Sequence, residues 1–401
     1  MKIKDYISGD TFLWALAIIL IVFSFLPVYS ASANLAYLGK GTGNTTSYLI
    51  KHFTHVVIGL VILYSVHKIP YRYFKGLSVL AIPVVILLLV YTAAQGTVMG
   101  GASASRWVKV PVIGINFQTS TLAFVVLMVY VAKYLASIKE RRVTFKESLL
   151  PLWLPVGAVL MLVVPFNLST AVLIFSMVLL TCFVGGYPKK YLMAIVGIGA
   201  LTMILFVLTA KAFPGVLPNR VDTWASRITT FSGEGDSDST YQVERAKTAI
   251  ANGYIFGVGP GKSPTKHVLP QSSSDFIFAI VLEEFGLIGG LLILSLYLFF
   301  LFRLVVISTK ADSVFGKLLV IGVGFPIVFQ ALMNMCVAVN LIPVTGQTLP
   351  LISSGGTSIL MTCMALGIVL SVSAQRDKQK EMEQEVAPED MNPLDVLSEA
   401  L

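Results

Sequence analysis

Runs of about twenty apolar residues, separated by short polar or basic connections, set the rhythm of this chain. They fall at roughly 11–29, 50–67, 74–94, 117–136, 149–165, 168–186, 190–212, 275–304, 315–338 and 355–374. Crossing about 30 Å of hydrocarbon at about 1.5 Å per residue takes roughly 20 residues of helix. Backbone N–H and C=O groups in lipid find partners only within the protein, so each run is read as a helix. The pattern predicts an all-α polytopic membrane protein with about ten transmembrane helices. Lys2 and Lys4, the apolar stretch from Phe12 to Val28 and then Ala31-Ser32-Ala33 have the layout of a cleavable signal peptide. That stretch is longer than a usual signal core and many spans follow it, so a retained first helix is expected.

The basic residues orient the bundle. With the N-terminus in the cytoplasm, the inner connections collect Lys68, Arg72 and Lys75, then Lys133, Lys139, Arg141, Arg142 and Lys146, then Lys189, Lys190, Arg303, Lys310, Lys317, Arg376, Lys378 and Lys380. The short outer loops hold Lys40, Lys51, Arg106 and Lys109. Positive charge concentrates on the cytoplasmic side of membrane proteins, so both termini are expected inside. One outer connection is long: residues 213–274, between the seventh and eighth spans, form a hydrophilic loop. Ser232 to Asp238 reads as flexible, whereas Tyr241 onward mixes an amphipathic run (Tyr241–Ala251) with glycines, prolines and lysines and reads as ordered. The expected organisation is a single transmembrane domain over 1–374 and a charged cytoplasmic tail over 375–401.

Composition agrees and narrows the class. Of 401 residues, 56% are hydrophobic and 12% charged, against about 25% charged in soluble domains. The net charge of +8 follows from the inner connections, so no nucleic-acid partner is expected. Cys182, Cys336 and Cys363 lie far apart inside apolar runs and read as small buried residues. Together with His52, His55, His67 and His267 they show no metal-ligand spacing, so no protein metal site is expected.

Three segments can carry chemistry. In Leu269-Pro270-Gln271-Ser272-Ser273-Ser274-Asp275-Phe276-Ile277, an acid opens a long apolar helix at the outer face. Asp275 reads either as a helix cap or as a general base lining an external cavity; the two are compatible. Glu283 and Glu284 lie about 12 to 14 Å further along that helix on different faces, so they cannot both share the Asp275 cavity, and at least one is expected to be a structural partner. Gly257-Val258-Gly259-Pro260-Gly261-Lys262-Ser263 resembles a phosphate-binding loop, but a Walker A motif needs glycine where Phe256 stands. A plain flexible turn and a turn bringing N–H groups, Lys262 and Lys266 to a phosphate remain open. The third segment runs from Asn340 through Pro343, Gly346, Pro350, Ser353-Ser354-Gly355-Gly356 to Ser358. It is broken helix at a membrane boundary, tolerated where it is buried in protein or lines a cavity. Its hydroxyls, Ser353 and Ser354 among them, suit close packing or contacts to a sugar.

These residues resemble the SEDS family (shape, elongation, division, sporulation) typified by FtsW and RodA. The carriers are the Asp275–Gly286 block, the Pro343–Thr357 run, Tyr241-Gln242, Gly257–Lys262 and Leu269-Pro270, with Arg106-Trp107 and Gln118 before the fourth span. The sequence departs where the family usually has Gln-Pro-Ser-Glu and a following Lys: it reads Gln118-Thr119-Ser120-Thr121 with Phe124 at the Lys position, and Asn167 replaces a usual acid before the sixth span. An intramembrane Glu–Lys pair is thus missing at both ends, which leaves no charge unpaired.

The resemblance implies a ten-helix fold in the bacterial inner membrane. It implies a glycosyltransferase that polymerises lipid II on the outer face, with a class B penicillin-binding protein and other divisome membrane proteins as partners. Asp275 matches the family's essential aspartate. Arg106, Lys262 and Lys266 become candidates to offset pyrophosphate charge, Ser353 and Ser354 candidates for substrate contact, and a divalent ion (Mg or Mn) is a possible cofactor. The division-type branch is favoured over elongation. Rival readings are a lipid II flippase or other transporter, and a non-catalytic scaffold.

Overall fold

The structure, a computed structural model, describes residues 8–38, 45–95, 98–99, 102–103, 107–109, 116–141, 143–212, 231 and 238–386. Its helices are α1 (Thr11–Leu38), α2 (Thr45–Lys68), α3 (Phe74–Ala94), α4 (Thr119–Ile138), α5 (Phe145–Val163, with a π turn at Leu149–Trp153), α6 (Leu168–Val184), α7 (Lys189–Ala212), α8 (Asp238–Gly253), α9 (Ile277–Lys310), α10 (Val314–Ala338) and α11 (Gly356–Val386). Among the described residues, eight of them are long and apolar enough to cross a membrane: α1 to α5 and α9 to α11. The 17-residue α6 is apolar but shorter. Two short hairpins precede α4: β1 (Val98–Met99) pairs with β2 (Ala102–Ser103), and β3 (Trp107–Lys109) with β4 (Asn116–Gln118), Trp107 opposite Gln118. The tail from residue 387 lies outside the described residues, and the helix α11 runs past the expected end of the span at 374.

Burial sorts helices that hydropathy cannot tell apart. Most of α10 and α11 is enclosed, while α2 and α3 are largely exposed. The centre is built by α10 against α4, α6, α9 and α11, with α2 laid along α11. The first helix is a packed member of the bundle, lying on α2 and α9. Asp10, just before it, accepts from the Leu13 N–H at 2.9 Å and from Arg303 Nε at 2.8 Å, and pairs with Arg303 Nη2 at 2.6 Å. One carboxylate thereby starts α1 and ties it to the C-terminal part of α9.

The helix α9 breaks at Gly286 (φ 66°, ψ −169°). A Cβ there would lie 2.3 Å from the Ile255 carbonyl oxygen, so glycine is required by both conformation and space. The break frees two carbonyls before it and two N–H groups after it. Val258 N–H donates to Glu283 O (2.9 Å) and Gly259 N–H to Glu284 O (3.0 Å). Leu287 N–H donates to Tyr254 O (2.9 Å) and Ile288 N–H to Ile255 O (3.2 Å). The segment 254–259 of the outer loop therefore stitches the kink, supplying the hydrogen bonds the helix gave up.

Candidate functional site

Asp275 stands in a tight turn, not in a helix. The N–H groups of Ser274, Asp275 and Phe276 converge on the Gln271 carbonyl at 3.1, 3.1 and 3.3 Å, and Gln271 has φ 56°. The helix begins two residues later, with Phe276 at the N-cap and no side-chain cap. The capping reading of Asp275 is thus corrected: the turn already ties up the local geometry, and the half-buried carboxyl is left to face elsewhere.

What fixes this turn is the broken segment before α11. Ser353 Oγ donates to Ser274 O at 2.6 Å and accepts from Leu349 N–H at 2.8 Å. Ser354 donates to Ser273 O through both its N–H and its hydroxyl, each at 2.9 Å. Asn334 of α10 donates one Nδ2 proton to Asp275 O and the other to Gln347 O, both at 2.7 Å. Three successive carbonyls, 273 to 275, are therefore held by neighbours. The Asp275 carboxyl points at Gly346, where a Cβ would lie 3.4 Å from Oδ2.

Ser353 is 1% exposed, so its hydroxyl fastens the Asp275 turn rather than meeting a sugar, and Ser354 works alongside it. For the buried Ser353 this differs from the substrate-binding role expected of it. The reason is that a broken backbone at a membrane boundary needs partners for its own polar groups first. The rest of the segment is equally committed: Gln330 Nε2 donates to Thr348 O (3.0 Å), Gln347 Nε2 to Thr170 Oγ1 (3.0 Å), Thr348 Oγ1 to Ser358 Oγ (2.8 Å) and Tyr297 OH to Pro350 O.

Neither glutamate joins Asp275. Glu283 is fully buried and accepts from Asn252 Nδ2 (3.1 Å), Thr265 Oγ1 (2.6 Å) and Ser263 Oγ. Glu284 accepts from Ser30 Oγ of α1. Both are structural partners. The Glu283 contacts fasten the segment that carries Lys262 and Lys266. Lys262 is exposed, and Lys266 Nζ donates to Gly261 O at 2.6 Å. This anchoring point lies six residues beyond Ile277, where α9 begins, about 9 Å at helical rise, so the glycine-rich turn is anchored further along α9 than the aspartate. Arg106 lies outside the described residues. The strand it precedes pairs with β4, and Gln118 N–H at the end of β4 donates to Thr357 Oγ1 at 3.2 Å.

The departures at the fourth and sixth spans are filled without charge. Phe124 packs in the core at 8% exposure, Thr121 Oγ1 donates to Gln118 O (2.7 Å), and Asn167 caps α6 by accepting from Thr170 N–H (3.2 Å). An apolar groove of about 360 Å³ opens between α6, α10 and residues 342–347, walled by Leu168, Val172, Leu173, Phe329 and Met333 and bordered by Gln347. Among the described residues no three His, Cys, Asp or Glu side chains are grouped to hold a metal.

Reading the sequence missed Asn334 and Gln330. Their signal was present: two amides four residues apart on one face of an otherwise apolar span, where polar side chains are retained when they have partners.

A family model described as cell cycle protein, covering FtsW, RodA and SpoVE, matches residues 10–378. A probable peptidoglycan glycosyltransferase FtsW of Hydrogenovibrio crunogenus is 33% identical over 375 residues, covering 90% of this chain and 91% of that one. A protein of the same description from Geobacter sulfurreducens is 29% identical over 381 residues, covering 94% and 98%. Two solved structures share the fold. A chain of a peptidoglycan synthase complex, described as coordinating polymerization and crosslinking, has a TM-score of 0.71 at 24% identity over 92% of this chain and 98% of that one. The rod shape determining protein RodA of Thermus thermophilus has a TM-score of 0.65 at 23% identity over 93% and 99%.

Proposed function

Since the chain belongs to the FtsW/RodA/SpoVE (SEDS) family, we propose that it is a peptidoglycan glycosyltransferase of the division type, polymerising lipid II into glycan strands. The relatives named FtsW supply the activity and the branch. The observation that carries the chemistry is the Asp275 turn: a half-buried carboxyl whose own backbone is fixed at three successive carbonyls, facing the one Cβ-free position of the Gly346 turn.

In this reading Asp275 takes the proton from the 4-hydroxyl of the acceptor sugar as that oxygen attacks the donor's anomeric carbon. The new C–O bond forms as the bond to the pyrophosphate breaks. The lipid pyrophosphate leaves from the opposite face, and the anomeric centre inverts. Lys262 and Lys266, on the glycine-rich turn, together with Arg106, would offset the charge that develops on the leaving group. The apolar groove beside Gln347 suits a lipid tail, which keeps the reacting headgroup at the surface. The site lies on the outer face of the bacterial inner membrane, and a class B penicillin-binding protein receives the strand for crosslinking.

The test is polymerisation of purified lipid II in detergent, alone and with a candidate transpeptidase. Loss of a general base costs about 10²- to 10⁴-fold. A folded Asp275→Asn variant that makes glycan at the wild-type rate refutes the assignment. A protein that moves lipid II but makes no polymer is a transporter.

A further inference from the structure

The stitch that repairs the α9 kink presents three consecutive large side chains to the outside. Tyr254, Ile255 and Phe256 are 82%, 56% and 79% exposed. The exposure is imposed by the backbone: the carbonyls of 254 and 255 bond the N–H groups of Leu287 and Ile288, and Tyr254 is held at φ 45°. The tip therefore sits beside Leu287 and Ile288, which are themselves half exposed, and Leu291 and Leu292 continue the same apolar surface down α9.

Its height follows from the helix. Arg303, which pairs with Asp10 at the inner end of the bundle, is sixteen residues from Leu287, about 24 Å at 1.5 Å per residue. Lys310, at the inner end of the helix, is twenty-three residues away, about 35 Å by the same rise. The far edge of a hydrocarbon core about 30 Å thick falls between these limits. We propose that Tyr254–Phe256 is an apolar tip seated in the outer leaflet, its partner being the lipid surface itself. Tyr254 favours this depth because its apolar ring and its hydroxyl meet the acyl chains and the headgroups together, while Ile255 and Phe256 add apolar area. Continuity with the exposed apolar surface of the membrane-spanning α9 selects lipid over water as the occupant. The consequence is positional. The tip fixes the adjoining turn, with exposed Lys262, at the level of the lipid phosphates.

The full-length protein in lipid nanodiscs tests this. Phe256→Cys in a Cys336→Ala background is labelled with an environment-sensitive fluorophore; Cys182 and Cys363 are fully buried. Blue-shifted emission is expected, quenched by lipids carrying a nitroxide at a shallow acyl position and little affected by iodide. Ile255→Cys serves as the second site should the first variant fold poorly, with the same expectation. Quenching by iodide without lipid quenching places the tip in water and overturns the proposal. Blue-shifted emission that neither agent quenches means that protein covers the tip, and overturns it equally.

Discussion

Removing the Glu283 carboxylate tests how the outer loop is held. Its Oε1 accepts from Asn252 and Thr265 and its Oε2 from Ser263, and the residue is fully buried. Glu283→Ala leaves three donors facing a cavity. Hydrogen bonds to a charged group contribute roughly 1.5–3 kcal/mol each, but hydroxyls turn to new partners, so we take about 3 kcal/mol for the set. At about 1.4 kcal/mol per tenfold, the segment should open roughly 150 times more often. The loosening should be local. The backbone bonds of Val258, Gly259, Leu287 and Ile288 do not depend on this side chain. The amides that report it are Lys266, which donates to Ser263 Oγ, and Val268 and Leu269, which donate to Thr265 O. Hydrogen exchange in nanodiscs, read by mass spectrometry, should show faster exchange over 263–269 with 258–259 unchanged. Glu283→Gln keeps Oε1 for two donors and offers Nε2 to the Ser263 hydroxyl, so about 1 kcal/mol, or fivefold, is expected. Unchanged exchange at Lys266, Val268 and Leu269 in the alanine variant would show that the carboxylate does not hold the loop.

Two further outcomes follow from the same contacts. Gly286→Ala forces a side chain into a glycine-only conformation 2.3 Å from the Ile255 carbonyl, and should cost on the order of 3 kcal/mol; an unchanged thermal midpoint in detergent contradicts this. Asn334→Leu frees the carbonyls of Asp275 and Gln347 while removing a buried Oδ1 that has no partner among the described residues. Folding should therefore survive, while kcat for lipid II polymerisation falls about tenfold to 100-fold from a misplaced base and KM stays put; an unaltered kcat would mean that the amide does not position Asp275.

Much was legible along the chain because lipid imposes a one-dimensional rule: a helix must be about twenty residues long and apolar. That rule placed the spans, and it marked Asp275, the glycine-rich turn and the Asn340–Ser358 segment as departures from it. Set against the family pattern, the sequence also shows Thr121 and Phe124 removing an acid and a base together, while Asn167 replaces a separate acid. Which polar group satisfies which is a three-dimensional question, and there the folded bundle decided. Ser353 and Ser354 read equally well as sugar contacts until their partners, the carbonyls of residues 273 and 274 some eighty positions earlier, came into view. Asp275 read as a cap or a general base until the Gln271 turn set it before the helix, whose N-cap is Phe276. The kink at Gly286 is invisible to hydropathy, because its missing hydrogen bonds are supplied by residues 254–259 from another part of the chain. Apolar pattern says how much of a helix must leave water; only packing says what each buried donor and acceptor finds when it does.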